Sequence, residues 1–354
     1  MTSRIDLAGQ FREFAQTAAH RSPLYGRLAT AIADDAMLLG LLDDAPPDQR
    51  RPVLLFAAVH HLVLEGHGGE LGAHFASASH PSTDPVRELH LLVDRHRNDL
   101  HRLITTRSVQ TNEVGRCAAI VPVHGAIHRE VGATSLVEVG ASAGLLLNFH
   151  HYAYRYDDEP WIGADAPVRI TCATSGAARE VGLPHEVVAP RATLGLDRAP
   201  VDLDDPDAVR WLEACMWPEE TGRRERLLAA IALARTTRPE LRVADAVEDI
   251  AGVLEERCAL GHPVVLTSWT LAYLDEGARR RFVDELETFG RHDDLSWLIL
   301  ESPADTPGLP IPTTSPPESI TVVSLVTWRS GRRSVRRIAT MHPHGSTLRW
   351  AESS

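Results

Sequence analysis

Seven consecutive residues, Glu138-Val139-Gly140-Ala141-Ser142-Ala143-Gly144, concentrate most of the chemistry that can be read from this chain. They follow the short apolar run Leu136-Val137 and precede LLLNFHHYAYRY, so the pattern predicts strand, turn, helix. Glycines at a strand end let backbone approach a ligand, and a following helix offers free N–H groups to its polar or anionic part. An acid at the strand end, Glu138, complements a cationic or hydrogen-bond-donating ligand. Gly140, Ser142 and Gly144 also spell Gly-x-Ser-x-Gly, the turn in which a serine serves as nucleophile. A tight turn without ligand contact is the third reading.

Later strand ends bear on the choice. A bound ribose needs a carboxylate at the end of the second strand, and Asp197 closes the predicted strand ATLGLD. It lies about 50 residues past the turn, against about 20 in an ordinary dinucleotide unit, so an insertion around 157–190 is required. Asp245, followed by Ala246, ends the next strand and would accept from an exocyclic amine of adenine. Either aspartate would equally serve as a helix N-cap. The fourth strand ends in Thr267-Ser268-Trp269, where Ser268 would line the cofactor and Trp269 would cover an adenine or substrate face or pack structurally. This segment lacks the Asn or Asp, two prolines and aromatic that mark methyltransferases of nucleobase amines, which argues against DNA amino methylation. Serine hydrolases of the α/β class place several strands and an oxyanion loop before the elbow. Here His67-Gly68-Gly69 is the one candidate loop, and it lies between predicted helices.

The elements that must position these residues divide at about residue 130. Apolar residues recur every three or four positions from Ile5 to about Glu130, which predicts an all-α domain over 1–130. Beyond it, strands at VRITC, ATLGLD, LRVAD, PVVLTSW and LSWLILES alternate with helices, and SITVVSLVTWR and SVRRIATMH flank the turn SGRR as an antiparallel hairpin. Residues 131–354 therefore read as an α/β domain with a mostly parallel sheet.

Composition narrows the chemistry. The 354 residues contain 36 basic and 48 acidic side chains, a net charge of −12, and every basic residue is arginine. A chain without lysine is a poor candidate for Schiff-base or P-loop chemistry. The negative charge argues against nucleic acid or anionic membrane as partner and for a small molecule. The four cysteines, Cys117, Cys172, Cys215 and Cys258, form no Cys-x-x-Cys pair and read as small buried hydrophobes. With no signal-like or membrane-length apolar run, a cytoplasmic location is expected. His124 and His128 lie one helical turn apart near Glu130, but without a His-Glu-x-x-His motif no metal site is expected. If a substrate must lose a proton, His61, Glu113 and His151 are the candidate bases.

The Glu-x-Gly-x-x-x-Gly spacing resembles the first motif of class I S-adenosylmethionine-dependent methyltransferases. The segments Gln110–Arg116, Val137–Leu145, Gly195–Asp197, Asp207–Leu212 and Leu271–Leu274 together resemble a bacterial family catalogued as a domain of unknown function and methyltransferase-like in fold, over nearly the whole chain. The resemblance implies that Asn112, Glu113 and Arg116 form a shared motif lining the cofactor or substrate cleft, or clamping the helical domain to the sheet. The expected architecture is a helical cap over a seven-stranded Rossmann-like methyltransferase sheet with a cleft at its carboxyl edge. Glu138, Gly140, Ser142 and Gly144 would hold the amino acid part of S-adenosylmethionine, Asp197 its ribose, and Asp245 with Ala246 and Ser268 its adenine end. Asn112, Glu113, Arg116 and Trp269 would face a small methyl acceptor. The alternatives are a serine hydrolase using Ser142 and a non-catalytic S-adenosylmethionine-binding protein.

Overall fold

A computed structural model describes residues 4–76, 81–110, 112–176, 181–306, 308–309 and 320–351, so Thr111 of the expected motif and Ser319 of the expected hairpin lie outside the described residues. The chain divides into two compact units, Met1–Thr111 with Asp204–Glu225, and Asn112–Leu203 with Arg226–Ser354. Among the described residues no helix is long and apolar enough to cross a membrane.

The first unit contains α1 (Arg4–Ala18), α2 (Pro23–Ala33), α3 (Ala36–Leu39), α4 (Pro52–Leu62), α5 (Gly69–Phe75) and α6 (Pro85–Thr106). After α7 (Cys117–Val131), which clusters with the second unit, α8 (Pro206–Ala214) belongs to the first again. One local rule starts three of these helices: a polar N-cap followed by proline. Ser22, Asp84 and Asp205 each accept a backbone N–H of the first turn, and the next residue's fixed φ suits the first helical position, where no N–H is needed. The core is built on α4, buried at every position except Val53. Phe56 stacks on Tyr25 at 4.3 Å and on Phe14 at 5.3 Å between ring centroids. Fully burying one such side chain is worth about 1.5–3 kcal/mol. Beyond α4 the helix widens into a π turn, Val63–His67, in which Gly66 has φ 92°.

Among the described residues the second unit carries one ten-stranded sheet: β1 (Thr134–Val139), β2 (Ala153–Tyr156), β3 (Arg169–Ser175), β4 (Ala192–Asp197), β5 (Leu241–Val243), β6 (His262–Ser268), β7 (Leu295–Glu301), β8 (Thr321–Arg329), β9 (Arg332–Met341) and β10 (Thr347–Trp350). Their order is β2-β3-β10-β9-β8-β7-β6-β1-β4-β5. Strands β5, β4, β1, β6 and β7 are mutually parallel, in the 3-2-1-4-5 sequence of a doubly wound fold. The expected hairpin is present as β8 and β9, with β8 antiparallel to β7. The remaining α-helices among the described residues are α9 (Thr221–Thr237), which begins in the first unit and continues in the second, α10 (Ile250–Cys258) and α11 (Glu276–Gly290).

Several expectations are corrected. LLLNFHHYAYRY forms no α-helix; it is a 3₁₀ segment, Leu146–His151, followed by β2. The reason is a period of two: Tyr152, Tyr154 and Tyr156 are all buried, and their hydroxyls donate to the carbonyls of Leu145, Phe149 and Ala118 at 2.6, 2.6 and 2.9 Å. Among the described residues the sheet has ten strands rather than seven, because the stretch just before the expected insertion supplies β2, the insertion itself β3, and the tail β10, which pairs with β9 and β3. The VRITC strand thus belongs to the far edge and not to the parallel core. The compact units part near residue 111, not 130, because Cys117–Val131 packs with the sheet. Cys258 is exposed, whereas Cys117 and Cys172 are buried as expected.

Helix α11 closes on β8 at Gly290, where an added Cβ would lie 2.3 Å from Cγ of the buried Trp328. The indole cannot retreat, being held by its N–H to Glu287 Oε2 at 3.1 Å. Gly290→Ala is expected to lower unfolding free energy by about 1–3 kcal/mol, as overpacking does, in a urea titration of the full chain.

Candidate functional site

In a doubly wound sheet ligands bind where the chain changes its direction of travel across the strands, outside their carboxyl ends. Here that point is β1, with β4 and then β5 laid down on one side and β6 and then β7 on the other. The expected cofactor residues Glu138, Gly140, Ser142, Gly144, Asp197 and Ser268 stand at or just past the ends of β1, β4 and β6, and Asp245 with Ala246 follows β5.

The turn after β1 has left-handed backbone at Gly140, Ser142 and Gly144, with φ 72°, 51° and 66°. Asp197, at the end of β4, fixes it: Oδ2 accepts the Ser142 N–H at 2.7 Å and Oδ1 accepts the Ala199 N–H at 2.9 Å. Asn112 closes the other side, donating to Ser142 Oγ at 3.0 Å and accepting the Ala143 N–H at 3.4 Å. The glycines are packed by the protein itself. A Cβ on Gly140 would sit 2.5 Å from the Thr270 side chain, and one on Gly144 would sit 2.9 Å from Leu241 Cδ2. Thr270 in turn donates through Oγ1 to the Val139 carbonyl at 2.8 Å, tying the end of β6 to the end of β1.

Beneath this turn lies a buried charge cluster. Arg116 is 2% exposed; its Nε donates to the Pro343 carbonyl at 2.9 Å, and Nη1 faces Ser268 O and Oγ at 3.3 and 3.2 Å. Its guanidinium carbon lies 5.5 Å from the Trp269 ring centroid. Trp269 is held at φ 57° with its indole N–H on Thr321 Oγ1 at 2.8 Å. Two glutamates share the electrostatic influence of Arg116. Glu138 is buried, Oε2 has no hydrogen-bond partner, and burial with Asp197 nearby raises its pKa well above the usual range against the opposing pull of Arg116. Glu301, at the end of β7, is fully buried; Oε1 accepts the Thr270 N–H at 3.0 Å, Oε2 is without a partner, and burial pushes its pKa up to about 8. Glu113 caps the turn leading to Arg116, accepting the Gly115 N–H at 2.9 Å, with Oε2 3.6 Å from His344 Nδ1. Gly115 permits this approach, since a Cβ there would lie 2.3 Å from the His344 carbonyl oxygen.

The structure thus gathers Asn112, Glu113, Arg116, Glu138, Gly140, Ser142, Gly144, Asp197, Ser268 and Trp269 at one edge. Asp245 lies two residues beyond β5, pairs with Arg198 at 2.6 Å, and accepts the Val247 and Glu248 N–H groups, so it caps its own turn; Ala246 is part of that turn. His151 is exposed beside His150 at the end of the 3₁₀ segment. His61 belongs to the first unit, where Asp207 Oδ1 lies 3.1 Å away. His124 serves packing, with Nε2 on Thr134 Oγ1 at 2.8 Å and Phe149 against its ring. Glu301 and Thr270 escape the sequence reading. Glu301 carries a signal like that of Glu138, an acid at or next to the carboxyl end of a buried strand.

The raised pKa of Glu301 sets a pH dependence. A carboxyl that holds its proton to about 8 when folded and releases it near 4.5 when unfolded makes the folded state bind more protons between those values. Its contribution is therefore present below the lower pKa and is lost as pH rises towards 8. Glu301→Gln, which keeps the shape and stays neutral, is expected to raise Tm relative to the parent at pH 8–9 and to leave it nearly unchanged at pH 4–5, with a slope on the order of 1.4 kcal/mol per pH unit between.

No curated protein matches the sequence. Among solved structures, the sugar N-methyltransferase KedS8 from Streptoalloteichus sp ATCC 53650 is similar at 14% identity and a TM-score of 0.24, covering 70% of this chain and 75% of that one. Residues 8–350 match the profile of a family described as an uncharacterized protein conserved in bacteria (DUF2332), and the chain belongs to that family.

Proposed function

We propose that this protein is an S-adenosylmethionine-dependent methyltransferase acting on a small molecule. The observation that carries the reading is a juxtaposition: acids stand at or just past the ends of three adjacent parallel strands at the switch point, Glu138 on β1, Asp197 on β4 and Asp245 after β5. The donor set fits such a cofactor. Glu138 has a buried oxygen without a partner, suited to a cationic or donating group, and Asp197 is half-buried with one lone pair of each oxygen committed. Asp197 would take the ribose hydroxyls, Asp245 with Ala246 the adenine, and the Glu138-to-Gly144 turn with Ser268 the remainder.

S-adenosylmethionine supplies an already activated methyl group, so positioning and exclusion of water are what the chain must add. Arg116, Trp269 and Asn112 are the residues proposed to orient a small acceptor, and Glu113 is the candidate base within their cluster. Positions of this kind need no nucleophile. A serine hydrolase remains as the second reading because Ser142 has the left-handed backbone of a nucleophile elbow. Its Oγ, however, accepts from the amide of Asn112, which cannot take the hydroxyl proton.

Calorimetric titration of the full chain with S-adenosylmethionine and S-adenosylhomocysteine is expected to give Kd values on the order of micromolar, weakened at least about tenfold in Asp197→Asn. Absence of binding to both by folded protein would overturn the reading. Labelling by a fluorophosphonate that disappears in Ser142→Ala would put the hydrolase in its place.

A further inference from the structure

Away from the sheet edge, the helical unit holds a second group of side chains that the methyltransferase reading does not use. Among the described residues, His61, Glu65 and Asp207 form the one group of three potential metal ligands whose donor atoms all lie within 4.8 Å of one another. His61 lies in the last turn of the buried helix α4, Glu65 stands in the π turn that follows, and Asp207 lies in the first turn of α8. From these positions we propose that His61, Glu65 and Asp207 bind a divalent cation of the zinc class.

The imidazole supplies the independent argument. His61 is completely buried, yet neither ring nitrogen makes a hydrogen bond. Nε2 lies 3.1 Å from Asp207 Oδ1, at hydrogen-bond distance but outside hydrogen-bond geometry. Buried polar atoms are nearly always satisfied, and an ion is one of the few occupants that would satisfy this one. A tetrahedral zinc ion, with bonds of about 2.0–2.2 Å, spaces its ligand atoms about 3.3–3.6 Å apart, so small side-chain movements bring three such donors into place. The π turn re-aims Glu65 relative to the axis of α4; such single-turn widenings recur at functional sites. One nitrogen and two carboxylates leave a fourth position open, as in sites where zinc holds a water or a substrate.

The neighbouring arginines set the terms of binding. Arg107 pairs with Asp207 Oδ2 and so leaves Oδ1 towards His61. Arg210 spans the two carboxylates, with Nη1 3.3 Å from Asp207 Oδ1 and 3.7 Å from Glu65 Oε1, and its guanidinium must yield to the cation. Arg210 is therefore a competitor, which a plain ion-pair network does not require.

The test uses the full chain stripped with chelator. Equilibrium dialysis against Zn²⁺ is expected to give one ion per chain, and Co²⁺ in its place the visible absorption of a tetrahedral site. Glu65→Gln and Asp207→Asn should each weaken Zn²⁺ binding at least about tenfold, and Arg210→Gln should strengthen it. Glu65 is about one-third exposed, so that variant should fold even if Asp207→Asn does not. Failure to bind one equivalent of Zn²⁺, or binding unmoved by Glu65→Gln, would overturn the proposal. Both outcomes are independent of S-adenosylmethionine titration.

Discussion

The guanidinium of Arg116 is the constraint on which the carboxyl edge of the sheet depends. It reaches from the turn before α7 to Ser268 at the end of β6 and to Pro343 between β9 and β10, so three distant stretches of chain meet on one side chain. Burying it is costly unless every donor is directed and the charge is answered. The answer comes from Glu138 and Glu301, two buried carboxyls for one buried cation, each with an oxygen to spare. Burial, opposed by Arg116, is what pushes protons onto these two carboxyls, which stand two to one against the cation.

That imbalance links stability to chemistry. A scaffold that only needed to fold would gain from replacing such a cluster with apolar side chains. Keeping it instead holds Trp269 in left-handed backbone, and Thr270 occupies the space that Gly140 leaves open. Asp197 then fixes the turn from the opposite side through the Ser142 N–H. The shape of the turn is therefore set by protein contacts on both flanks.

Much of this was legible in the sequence. The parallel strands, their acidic tips, the final hairpin and the helical character of the first hundred residues follow from periodicity and turn residues. What misled was the stretch after Gly144. LLLNF reads as helix, and the alternation of Tyr152, Tyr154 and Tyr156 becomes decisive only when Phe149 and Ala118 carbonyls stand ready to receive their hydroxyls. Glu301 was overlooked because one acid at the end of LSWLILE looks like a strand terminus. His61, Glu65 and Asp207 stayed invisible as a group because Asp207 lies more than a hundred residues from the others, a separation that spacing rules do not span.

Strand β10 carries a consequence for the order of events in folding. Strands β2 and β3 emerge early, directly after β1, yet they join the sheet only through Thr347–Trp350, near the other end of the chain. During synthesis the β2–β3 pair must wait, the open edge of β3 unpaired, while about 170 further residues are made. Contacts of such separation form slowly, and an unpaired edge is the surface on which chains associate wrongly. The three buried tyrosines, which anchor β2 to its own neighbourhood, would hold that pair in shape until β10 arrives.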